Sequence, residues 1–142
     1  MVAAALPGEE DSMDRSLDEL EDLANTCGFD VVARVTQNVK SISGSSYIGS
    51  GKLAEISEMA ENADVDHLIF NAELSAAQFR NIAKETSAAV HDRTGVILEI
   101  FSDHARTDEG KIQVELARLR YRLTRLAGKG TELSRLGGGI GT

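Results

Sequence analysis

The feature that most constrains this chain is a change of rhythm near residue 105. Before it, short apolar runs alternate with stretches of helical periodicity. After it, one helical pattern runs on with no strand following. Strand–helix alternation calls for a parallel sheet covered by helices on both faces, because each return to a parallel neighbour needs a crossover. The expected elements are a strand at Val2–Leu6, ended by Pro7-Gly8, and a helix opened by a capping box at Ser16 and Glu19. That helix has apolar positions Leu17, Leu20, Leu23, Ala24 and Cys27, and Gly28 terminates it. Next come a β-branched strand over Phe29–Val39, a loop over Ser41–Ser46 and a helix over Gly51–Asn62. A strand at Asp66–Phe70, a helix from a second capping box at Ser75 and Gln78 to Lys84, a strand at Ala88–His91 and a helix over Asp92–Ala105 complete the series. The expected fold class is therefore α/β, with about four parallel strands and helices on both faces, occupying residues 1–105.

Residues 106–142 form a second unit. Over Thr107–Ala127 the apolar residues Ile112, Leu116, Leu119, Leu123 and Leu126 are spaced four, three, four, three. That is a heptad seam, the pattern of a helix lying along another long helix. A glycine-rich loop is expected from Gly128 onward, as is a returning antiparallel helix, so this region reads as the first helix of a truncated helical hairpin. Without that partner, the seam is expected to fold back on the α/β domain, to fray, or to pair two copies as an antiparallel homodimer through residues 107–127, the last being favoured.

Charge is divided unevenly. Residues 1–30 hold nine acids and one base, which by itself gives −8, the net charge of the whole chain. Residues 103–142 hold eight bases against five acids. On the long helix Arg118, Arg122 and Arg125 share one flank, with Glu115 in position to pair with Arg118, and Lys129 and Arg135 follow. Guanidinium forks suit phosphate oxygens, so this flank reads either as a nucleic-acid contact or as the solvated outer face of a hairpin. One cysteine, Cys27, excludes an intrachain disulfide and fits a reducing compartment. The opening apolar run is too short for a signal peptide or a membrane span, so a cytoplasmic protein with no membrane partner is expected.

Catalytic constellations are missing. Gly49-Ser-Gly-Lys52 suggests a phosphate loop, but Ser46 stands at the first glycine position and Leu53 at the metal-binding hydroxyl position. The loop reads as a glycine-shaped helix start, with an autonomous nucleotide-binding protein using Gly49–Lys52 as the alternative. His67, His91 and His104 have no metal-ligand spacing. Asp92 is expected to cap the helix that follows it, and His67 to pack against the sheet. No catalytic, cofactor-binding or metal residue is assigned.

Four segments then carry a resemblance. Tyr47-Ile-Gly-Ser-Gly-Lys52, the stretch from His91 to Phe101, the stretch from Ala105 to Ala117, and the segment from Leu133 to Thr142 are similar, in that order, to signatures of the HflX family of ribosome-associated GTPases. The resemblance implies an α/β domain and helical hairpin ahead of a GTPase domain, and binding of the large ribosomal subunit, with ribosome splitting or rescue by the full-length protein. It implies that GTP and Mg²⁺ belong to the GTPase domain, whose P-loop, switch and guanine-specificity motifs are not in this sequence, so this chain is not expected to be an enzyme by itself. The hairpin tip would fall at about Lys129–Thr142. Combined with the arginine flank, this marks Arg118, Arg122, Arg125, Lys129 and Arg135 as candidate phosphate contacts, and Gly137, Gly138 and Gly139 as points of close backbone approach to large-subunit RNA. The further alternative is a plain protein-interaction module.

Overall fold

In a computed structural model, residues 1–136 are described along the backbone and residues 1–125 also in their side chains. Four strands, β1 (Val2–Ala5), β2 (Val35–Asn38), β3 (His67–Phe70) and β4 (Ala89–Asp92), form one parallel sheet in the order β2-β1-β3-β4. The helices are α1 (Glu10–Thr26), α2 (Ser50–Asn62), α3 (Ala76–Glu85), α4 (Arg93–His104) and α5 (Asp108–Leu136). Strand side chains alternate between faces. Leu68 and Phe70 join Leu53, Ile56 and Ile82 beneath α2 and α3, while Ile69 joins Leu20, Ala24 and Val96 beneath α1 and α4. The expected α/β sheet, covered on both sides, is the fold of this chain. Among the described residues no helix is long and apolar enough to cross a membrane.

Three local expectations are corrected. Helix α1 begins at Glu10, more than a turn before Ser16, so Ser16 lies inside it and forms no capping box. Acidic Glu10 and Asp11 favour the earlier start by meeting the positive end of the helix dipole. The Ser16 hydroxyl instead exchanges hydrogen bonds with the Asn71 side chain and accepts one from Arg93. Strand β2 is only four residues long, because it pairs residue for residue with the four-residue β1. Residues 29–34 form no strand, and within them Arg34 pairs with Asp18 and Glu21 of α1. Helix α5 continues through Gly128 and Gly130 to Leu136 rather than ending at Ala127. Two glycines weaken a helix by about 1 kcal/mol each relative to alanine, which is not enough to break one whose other residues are mostly good helix formers. Lys129 and Arg135 therefore stand on helix, not in a loop, and Gly137, Gly138 and Gly139 lie outside the described residues.

The second capping box forms as expected. The Gln78 N–H donates to the Ser75 hydroxyl at 3.1 Å, and the Ser75 N–H donates to the Gln78 side chain at 2.9 Å. Gly28 follows α1 with φ of 90°, a left-handed conformation in which a side chain would be strained.

Candidate functional site

The long helix joins the α/β body at the C-terminal end of β4. Asp92 closes that strand and caps α4, its Oδ1 accepting from the Gly95 N–H at 2.9 Å. Its Oδ2 accepts from the Leu74 N–H, also at 2.9 Å. Two groups arrive from α5: the Tyr121 hydroxyl donates to Oδ1 at 2.6 Å, and Arg125 Nη2 donates to Oδ2 at 2.7 Å. The carboxylate is completely buried and Arg125 nearly so, at 0% and 11% side-chain exposure. A charge so deep needs paired and hydrogen-bonded surroundings, and here one cation and three further donors supply them. The guanidinium lies 4.4 Å from the Tyr121 ring centre and 5.3 Å from that of Phe79. Its buried Nε has no hydrogen-bond partner among the described residues. Burial, then the bond to the Asp92 carboxylate, raises the Tyr121 pKa well above the usual phenol range, holding the hydroxyl as a donor. Gly95 leaves room for the joint, since a Cβ there would come within 3.0 Å of the Tyr121 hydroxyl oxygen.

The joint lies on one side of α5. Val114, Ala117, Arg118, Tyr121 and Arg125 are the half-buried side, packed toward α3 and α4. At about 100° per residue the heptad seam points to the opposite side of the helix. Ile112, Leu116, Leu119 and Leu123 are accordingly all exposed in the single chain. The helix thus does fold back on its own domain, but not through its seam.

The arginine flank is split by the same geometry. Arg118 donates to Glu99 and Ser102 of α4, each at 3.2 Å, and lies 3.6 Å from Glu115. Glu115 is therefore not alone in facing this flank: Glu99 and Asp92 neutralise Arg118 and Arg125 from other elements. Arg122 and Arg120 are exposed. The Asp92–Tyr121 contact had one signal in the sequence. Tyr121 is the lone aromatic of α5, and it stands opposite the apolar seam.

The remaining sequence candidates occupy other places. Lys52 lies 3.5 Å from Glu55 on the same helix, and the Gly49 N–H is taken by the Gln37 side chain. Ser46, at the first glycine position of the fragmentary phosphate loop, is buried and donates to the Ile48 carbonyl at 2.6 Å. His67 is exposed at the sheet, where its Nδ1 meets His91 Nε2 at 3.0 Å, and Phe29 stands edge-on to both rings. Burial, then the His67 neighbour, lowers the His91 pKa. His104 bonds the Ile100 carbonyl. No group of three or more metal-capable side chains occurs among the described residues.

Comparison with known proteins agrees with this architecture. The family described as GTP-binding GTPase N-terminal matches residues 14–102, and that described as GTP-binding GTPase Middle Region matches residues 104–142. GTPase HflX of Alkalihalophilus pseudofirmus is 46% identical over 142 residues, all of this chain and 34% of that protein. GTPase HflX of Escherichia coli is 42% identical over 125 residues, 88% of this chain and 29% of that protein. A crystal structure of a GTP-binding protein from Sulfolobus solfataricus in complex with GDP superposes with a TM-score of 0.63 at 30% identity, covering 92% of this chain and 40% of that one. The chain spans about a third of the length of the curated relatives it matches.

Proposed function

The chain belongs to the HflX family of GTP-binding proteins, matching the N-terminal third of its relatives, and from that premise we propose that it is the ribosome-recognition part of a cytoplasmic translational GTPase. In this reading it binds large-subunit RNA, while GTP and Mg²⁺ are handled by a GTPase domain that acts beside it and supplies the hydrolysis. Ribosome splitting or rescue would be the work of the whole protein. The observation that carries the reading is the contact of α5 with the body through Asp92, beside which a long basic helix runs with Arg122 turned to solvent. Arg118 and Arg125 have carboxylate partners inside the chain. The phosphate contacts are therefore assigned chiefly to Arg122, Lys129 and Arg135, with Gly137–Gly139 approaching the RNA backbone. The exposed seam receives the returning helix of the hairpin, or a second copy when this chain is alone.

The test is binding of the chain to purified large ribosomal subunits over a range of salt. Replacing Arg122, Lys129 and Arg135 together with alanine is expected to lower the log–log salt slope by about 0.7–0.9 for each phosphate no longer neutralised. Unchanged affinity and slope would refute the assignment. A melting shift with ATP or GTP that disappears in Lys52→Ala would instead favour the autonomous nucleotide-binding reading.

A further inference from the structure

Over residues 108–125 no side chain of α5 is fully buried. Within those residues the side facing the body offers only Val114 and Ala117 as aliphatic contacts, and apolar contact is non-directional in any case. Such a surface lets a helix slide and roll. What is directional is polar, and it acts at two points. Arg118 reaches Glu99 and Ser102 of α4. Tyr121, just under one turn later, and Arg125, two turns later, close on Asp92. Arg118 and Arg125 are seven residues apart, about 10.5 Å along the axis at 1.5 Å per residue. One attachment would leave a pivot; two at this spacing fix both direction and roll. They are not equivalent. The Arg118–Glu99 pair is open to solvent and is weakened by salt. The Asp92 carboxylate is buried, and one side chain ties the loop before α3, the end of β4, the start of α4 and α5 together. Fixing register is the best-attested use of a buried ion pair.

We propose that Tyr121 and Arg125 are positioning residues that, through Asp92, fix the direction and roll of α5 and so set where its exposed arginine flank and the residues beyond are presented. The consequence for RNA rests on the ribosomal reading; the joint itself does not. Arg125 acts here through a carboxylate of its own chain, not as a phosphate contact.

The experiment measures the direction of α5 and subunit binding in the same variants. Spin labels are placed through Lys40→Cys and Leu123→Cys in a Cys27→Ser background, since Lys40 and Leu123 are both exposed. The wild-type joint should give one narrow distance distribution. Arg125→Lys keeps the charge but loses the planar fork and the stacking, and Tyr121→Phe removes a single hydroxyl without any change in charge. Both are expected to broaden or shift the distribution while circular dichroism stays unchanged. Both should also weaken large-subunit binding at least tenfold with an unaltered salt slope, an effect that removal of a phosphate ligand cannot produce in Tyr121→Phe. If Arg125→Lys fails to fold, Tyr121→Phe decides alone. A distribution that is already broad in the wild type, or that stays narrow and unshifted in Tyr121→Phe, would overturn the proposal. Broadening in a protein whose wild type does not bind the subunit would remove the ribosomal reading and leave the joint standing.

Discussion

In the α/β body, Phe70, Leu74 and Ile82 are sealed from solvent, whereas along α5 Ile112, Leu116, Leu119 and Leu123 are exposed and an aspartate lies sealed beneath the helix. The body obeys the ordinary rule that apolar side chains collect on the inside. The helix turns its apolar side out, and a buried carboxylate and arginine hold the other side down. The difference teaches that the two regions are anchored by different forces. Apolar burial scales with area and is indifferent to direction. The Asp92 joint is local and directional, and it contributes only when every partner is in place.

The contrast can be broken at its strongest point first. Phe70→Ala empties a fully buried aromatic site and is expected to destabilise the chain by about 3–5 kcal/mol, whereas Leu123→Ala should stay within about 0.5 kcal/mol at protein concentrations low enough to keep the chain monomeric, both read from urea denaturation. A comparable cost at Leu123 would mean that the seam is covered in solution by a second copy. The next effect separates the two attachments of α5. Arg125→Ala leaves Asp92 buried without its cation and should cost about 3 kcal/mol, little changed by salt. Arg118→Ala removes a partly exposed pair and should cost about 0.5 kcal/mol, disappearing in 1 M salt. Equal costs for the two arginines would show that the buried joint is not the dominant anchor.

The finest test is pH. The His91 pKa lies below the usual value of 6.5, so the folded state favours the neutral ring, with burial as the first cause and His67 as the second. The unfolded chain then binds the extra proton more readily. The contribution of His91 to stability is complete above pH 6.5 and is lost as pH falls through its folded value. Melting of the wild type should therefore decline more steeply below pH 6.5 than melting of His91→Gln. Parallel curves for the two would show that His91 titrates as though exposed.

Much of the body was legible because its signals are local. The Ser75 capping box, the Asp92 cap and the glycine after α1 each need only a few neighbouring residues to be recognised. The failures were also local signals, but ones with competitors. Ser16 and Glu19 have the spacing of a capping box, yet acidic residues ahead of them let the helix start earlier, and Asn71 and Arg93 claimed the serine. Gly128 and Gly130 looked like a stop, yet a helix outlasts a pair of glycines when the residues around them favour it.

Hydrophobic period and turn chemistry are written in neighbouring residues, and they specify the alternation of strands and helices, the parallel sheet that alternation requires, and the two faces of α5. Which face of α5 docks is settled in three dimensions. That choice depends on a carboxylate 29 positions before Tyr121 and 33 before Arg125. Separation along the chain carries no record of which distant groups will share a buried site. Packing α3, α4 and α5 around the end of β4 brought Asp92, Tyr121 and Arg125 within hydrogen-bond reach. Once they were there, the buried carboxylate had its cation and its donors, and the four described seam side chains faced away from the body.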